Sequence, residues 1–204
     1  MARGNGRMQI FLDDTDYRHF LNLLRETVED SEIECWNYCV MPNHYHTTLR
    51  PSQPNLSDAL KCLNSDYAKW WNFRHGRVGH AFQGRFKDQI VQCDRYLLAL
   101  SRYIALNPVR AGLTKRPEQW PWSSYATIAG LSSEPTFVDV EPTLRQFGEG
   151  DRHTLQARFQ EFVEASDALT DTRIRSSARI LGDKEFRRSI QGRDRGSDTC
   201  LTPL

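Results

Sequence analysis

The chain has 204 residues, 39% of them apolar and 26% charged, which is enough to bury a core and too apolar for a disordered or low-complexity chain. Its net charge of +1 conceals a gradient: residues 1–49 carry −4, residues 50–116 carry +8 and residues 117–204 carry −3, so a polyanion would meet the middle segment unless the blocks cancel over the folded surface. No apolar run approaches the ~20 residues of a membrane span and the first ten residues lack the apolar stretch of a secretory signal, which points to a cytoplasmic protein without membrane contact. Five cysteines without a CxxC pair read as reduced structural thiols.

Thr15 or Asp16 is placed to cap a helix running to about Glu29, with Tyr17, Leu21, Leu24 and Val28 on one apolar stripe. IECWNYCVM (33–41) reads as a strand buried on both faces, and Pro42 and Asn43 as the turn into a second strand, HYHTTLR. There the period of two puts His44, His46 and Thr48 on one face and Tyr45, Thr47 and Leu49 on the other. Asn55 stands before a helix carrying Leu56, Leu60, Leu63, Tyr67 and Trp70 to about Arg74. RHGRVGHAFQGRFK, with Gly76, Gly79 and Gly84, is a loop; a short strand, about Gln89 to Gln92, follows it. Asp94 opens a helix with Tyr96, Leu100, Tyr103 and Asn107 on one stripe, ended near Asn107 by Pro108. This order predicts an α+β fold, an antiparallel sheet with helices on one face. The texture changes near residue 131, dividing the chain into a domain at 1–130 and an extension at 131–204 of linker, amphipathic helix (Leu155, Phe159, Phe162, Val163) and polar tail.

Two imidazoles two apart on a strand point the same way and can share a metal ion; equally, such a pair is often an ordinary feature of a strand surface. Tyr103 and Asn107, four apart on a helix, aim a phenol and an amide oxygen at one place, or Tyr103 is a core aromatic. Together the four make chemical sense. A free phenol holds its proton to about pH 10, so its attack on a phosphodiester needs a cation to polarise the phosphate. Two imidazoles and one amide oxygen suit Mg2+ or Mn2+ and leave positions open for substrate. In the loop, Arg74, Arg77, Arg85 and Lys87 alternate with His75, His80, Phe82 and Phe86, the mixture single-stranded nucleic acid binding uses, or a solvated loop whose rings pack inward. Arg3, Asn5 and Arg7, in RGNGR, offer backbone amides to a phosphate or simply form a turn.

MPNHYH (41–46), GHAFQGRFK (79–87), RYIALNPVRAG (102–112) and WPWSSY (120–125), in this order, resemble the REP-associated tyrosine transposases, relatives of the single-tyrosine HUH transposases of bacterial insertion sequences. RGNGR (3–7) and NLSDALKCLNSDYAKWWNFRHGR (55–77) are similar too, so the resemblance spans about residues 3–130; ILGDKEF (180–186) looks like carboxy-terminal extensions found there. The resemblance implies a ferredoxin-like core, a divalent metal on His44 and His46 with Asn107 as third ligand, and Tyr103 as the nucleophile that leaves a 5′-phosphotyrosine and a free 3′-hydroxyl. It implies single-stranded DNA with small hairpins as substrate, met by Arg3, Asn5, Arg7, Arg74, Arg77, His80, Phe82, Arg85, Lys87 and Arg110. The active unit would be a monomer or homodimer in the cytoplasm, associated with the nucleoid when DNA is bound. Relatives carry a strand before RGNGR, central in the sheet; the expectation here is that this strand is truncated, with Met8 to Leu12 in its place, a start farther upstream or a degenerate copy as the alternatives. The rival expectations are a catalytically decayed or domesticated hairpin-binding protein, and a metal-dependent hydrolase that uses water.

Overall fold

A computed structural model describes residues 1–133, 136–165, 179–191 and 200–203. The chain opens with β1 (Ala2–Arg3), and α1 (Asp14–Asp30) follows. The cap of α1 is Asp13, whose carboxylate accepts from the amides of Thr15 and Asp16, and neither Thr15 nor Asp16 plays that part. Asp16 is withdrawn from capping because it is buried and accepts instead from the Leu12 amide (2.7 Å) and from Arg74 and His75. The apolar face of α1 is Tyr17, Phe20, Leu24 and Val28.

β2 (Ile33–Met41) and β3 (His44–Pro51) form the expected hairpin, with a bulge between Cys35 and Asn37 that reverses which face of β2 each later residue meets. α2 (Leu56–Arg74) comes next; Asn55 precedes it but gives its side-chain amide to the Ser31 carbonyl (2.9 Å). β4 (Asp88–Val91) leads into α3 (Cys93–Ala105). Pro108 cannot continue that helix, so the chain turns at Leu106 and restarts as α4 (Asn107–Arg110). Beyond it lie α5 (Tyr125–Ile128), α6 (Glu141–Leu144), α7 (Arg152–Glu164), β5 (Ile180–Leu181), α8 (Lys184–Gln191) and β6 (Cys200–Pro203).

The strands form one sheet in the order β1-β3-β6-β4-β5, with β2 on the other edge of β3; all pairs are antiparallel except β4 with β5. α1 and α2 share one face, over Ile33, Cys35, Val40, Tyr45 and Leu49. α3 takes the other, over Trp36, Cys39 and Met41, so helices cover both faces and not one. β2 is apolar on both sides, so each face needs a helical layer to cover it. Val138, Val140, Leu144, Leu155, Phe159 and Val163 join the same core as α1 and α2, so residues 136–165 pack on the sheet domain. The central row, expected to be short of a strand, is filled. Pro203 pairs with Asp88, and Met1 exchanges backbone hydrogen bonds with Lys87, the next position along, so β6 and β1 lie end to end between β3 and β4.

Candidate nucleophile and metal site

Alternation along β3 sends Tyr45 to the α2 side, where its hydroxyl donates to Asn64 Oδ1 (2.9 Å), and sends His44 and His46 to the α3 side. The two imidazole rings lie 4.9 Å apart, centre to centre, and His46 meets the ring of Tyr103 edge to face at 5.7 Å. A strand and a helix 60 residues apart thus bring the expected nucleophile to the expected ligands within one chain.

The tautomer of His44 follows from its neighbours. Asn43 gives its side-chain nitrogen to the Arg7 carbonyl (3.0 Å), which turns its amide oxygen to His44 Nδ1 at 2.6 Å. That nitrogen must therefore carry the proton, leaving the Nε2 lone pair for a ligand. Burial also keeps the rings uncharged. Desolvation, with the Arg3 guanidinium and the amino-terminal charge adding to it, pushes His44 down to about 4; burial, then the neighbouring His44, hold His46 well below the usual histidine range. Neutral imidazoles are the ligating form, so the pair fits a metal ion.

The third donor would be an amide. Among the described residues no three His, Cys, Asp or Glu side chains are grouped to hold a metal. Asn107, at the start of α4, donates its Nδ2 to the Tyr103 carbonyl (2.8 Å), and an amide fixed by its nitrogen has its oxygen free to ligate. Arg110 donates to the same carbonyl (3.1 Å) and lies over the Tyr103 ring at 5.3 Å. The kink at Pro108 brings both residues back on to the last turn of α3.

The neutral state has a consequence for stability. A histidine whose folded pKa is depressed is at full stability above its unfolded value of about 6.5 and loses it as pH falls toward the folded value. In chelator, the melting temperature of this protein declines between pH 6.5 and 4, and His44→Gln flattens that decline. An unaltered pH profile in His44→Gln would show that His44 is not held neutral by the fold.

The basic segments come together along one edge. The amides of Gly4 and Asn5 donate to the carbonyls of Asn43 and Ala81 and the Gln83 amide to that of Arg3, each at 2.8 Å, which stitches RGNGR to both the histidine turn and the glycine-rich loop. Gly4 is required there, because a Cβ would stand 2.3 Å from the Met8 carbonyl oxygen. His80, Arg85 and Lys87 are exposed, as are Asn5 and Arg7. Other members of the expected set have structural partners. Phe82 is 8% exposed and packs on Tyr45 and Tyr67, so its ring belongs to the core. Arg74 is held by Asp13 and Asp16, and Arg77 lies over Trp71 at 5.4 Å. Pattern reading passed over Asn43, seen only as a turn residue, and Phe73, which is 90% exposed at the end of α2. Its failure to fit the Leu60, Leu63, Tyr67 stripe was the available signal.

Three comparisons bear on this arrangement. Residues 1–107 match the family described as Transposase IS200 like. A protein of Haemophilus influenzae that carries the name REP-associated tyrosine transposase is 24% identical over 123 residues, 54% of this chain and 70% of its own length. A solved structure described as a REP-associated tyrosine transposase bound to a REP hairpin superposes with a TM-score of 0.53 at 21% identity, covering 68% of this chain and 82% of the other, a likeness of fold. Among the described residues no helix is long and apolar enough to cross a membrane.

Proposed function

Because the chain belongs to the IS200-like transposase family, matching it over residues 1–107, we propose that it is a DNA strand transferase that cleaves and rejoins single-stranded DNA beside hairpins. The observation that carries this reading is the edge-to-face contact of His46 with Tyr103, which sets a helix-borne phenol beside paired neutral imidazoles. Tyr103 Oη attacks the scissile phosphorus, the new P–O bond replaces the bond to the 3′ oxygen, and that oxygen leaves as a 3′-hydroxyl once protonated. The phenol proton passes to solvent. His44, His46 and Asn107 would hold Mg2+ or Mn2+, which when bound polarises the phosphate. Arg110, tied to the Tyr103 carbonyl, sets a cation beside the phenol and steadies its ring. Since a phosphotyrosine ester conserves the energy of the phosphodiester, attack by a 3′-hydroxyl reverses the step without a nucleotide cofactor.

The test is covalent trapping: labelled single-stranded hairpin oligonucleotides are incubated with the protein and Mg2+ or Mn2+, then run on a denaturing gel. A labelled protein band that vanishes with chelator supports the reading. Nicking without any adduct would favour attack by water instead, and hairpin binding without cleavage a decayed binding protein. Binding itself is expected to use the exposed end of α2. Phe73→Ala lowers hairpin affinity about five-fold or more, the worth of one stacked base, with unchanged melting temperature; equal affinity in a gel shift would remove Phe73 from the interface.

A further inference from the structure

We infer that Arg102 is a positioning residue for Tyr103, fastening the nucleophile helix to the segment at 136–165 that lies beyond the matched family region; this rests on the transferase reading above. Arg102 is 5% exposed although it is charged. Its guanidinium donates to the carbonyls of Phe162 (3.3 Å) and Ala165 (3.0 Å) and lies over the Phe162 ring at 4.3 Å. Those carbonyls belong to the last turn of α7, where a helix has no internal donors left and carries the negative end of its dipole. Arg102 satisfies that end, and α7 in return gives a buried cation its acceptors.

A second fastening sits one residue earlier. Asn37, at the β2 bulge, donates to Ser101 Oγ (2.9 Å) and to Thr143 Oγ1 on α6 (3.4 Å), and accepts from Ser124 Oγ (3.5 Å). Asn37, Ser101 and Thr143 are all buried. Successive helical residues point about 100° apart, so Ser101, Arg102 and Tyr103 face three directions: the sheet with α6, α7, and the histidines. One of these directions is fixed by the extension directly, through the carbonyls of Phe162 and Ala165, and another through Asn37 of β2, which Thr143 of the extension also holds. With both engaged, α3 can neither roll nor tilt, and the third direction, that of the phenol, is set. The cost of a misplaced nucleophile is large even where the altered residue never meets substrate.

The experiment measures single-turnover adduct formation at saturating hairpin, together with hairpin affinity and deuterium exchange of α3. In Arg102→Ala the adduct rate falls about ten-fold or more with affinity within about two-fold of wild type, and amides of 97–105 exchange faster. Arg102→Lys, which keeps a donor for the two carbonyls but loses the planar stack, lies between. Phe162→Ala, a change outside α3 that leaves Arg102 in place, lowers the rate in the same sense and guards against Arg102→Ala failing to fold. An unchanged rate and exchange pattern in these variants would overturn the proposal, as would a fall in rate matched by an equal fall in affinity. If wild type itself forms no adduct the transferase reading fails, and the exchange arm alone then decides whether Arg102 restrains α3.

Discussion

Tyr103→Phe forms no covalent adduct with hairpin DNA, a loss of at least about a thousand-fold, while hairpin affinity stays within about two-fold of wild type. The contacts that locate Tyr103 are the edge of its ring against His46, the guanidinium of Arg110 over its face, and its backbone carbonyl, which accepts from Asn107 and Arg110. Phenylalanine keeps all of them. What it lacks is the oxygen, so the variant separates nucleophile from architecture, and a fully active Tyr103→Phe would remove the tyrosine mechanism. Because His46 and Tyr103 of one chain are in contact, a companion experiment has an equally sharp outcome. Mixing His46→Ala with Tyr103→Phe does not restore the adduct; recovery in the mixture would mean that the phenol of one copy serves the histidines of another.

The largest effect on stability is expected at Asp16. Its side chain is fully buried, yet it is an anion, held by the Leu12 amide, Arg74 and His75, and so joins the start of α1 to the end of α2. Removing one member of such a buried cluster costs about 3 kcal/mol or more, because the others keep their desolvation without their partner. Asp16→Ala therefore lowers the unfolding free energy obtained from urea denaturation by that amount. Asp13→Ala, which loses an exposed cap and one arm of the Arg74 pair, costs clearly less. Equal losses at the two positions would show that Asp16 acts as no more than a helix cap.

The hairpin, the three long helices of the first 107 residues and the shared face of His44 and His46 were legible because each rests on local chemistry. A period of two along HYHTTLR fixes the face His44 and His46 share, and Pro108 fixes where α3 must stop. What was not legible depends on distant partners. Asp13, Thr15 and Asp16 can all cap a helix in isolation, and it is the Leu12 amide together with Arg74 and His75, the last two nearly 60 residues on, that withdraws Asp16. Phe82 carries the same local signal whether its ring stacks on a base or packs on Tyr45. The contact of α3 with α7 is invisible for the same reason: the arginine before Tyr103 reads as one more basic residue until the carbonyl end of α7 is set against it. The strand CLTP, four residues with a proline and no alternation, gives no local cue of its place in the middle of a sheet.

That placement of β6 makes the row between β3 and β4 a track with two claimants. An extended segment fused ahead of Met1 would run along β3 toward Leu49, the position Leu201 holds, and would have to displace residues 200–203 by strand exchange. Residues fused after β6 would be steered toward Met1 and Ala2. An affinity tag at either end therefore lies within one or two strand positions of His46 and competes with the protein's own sheet.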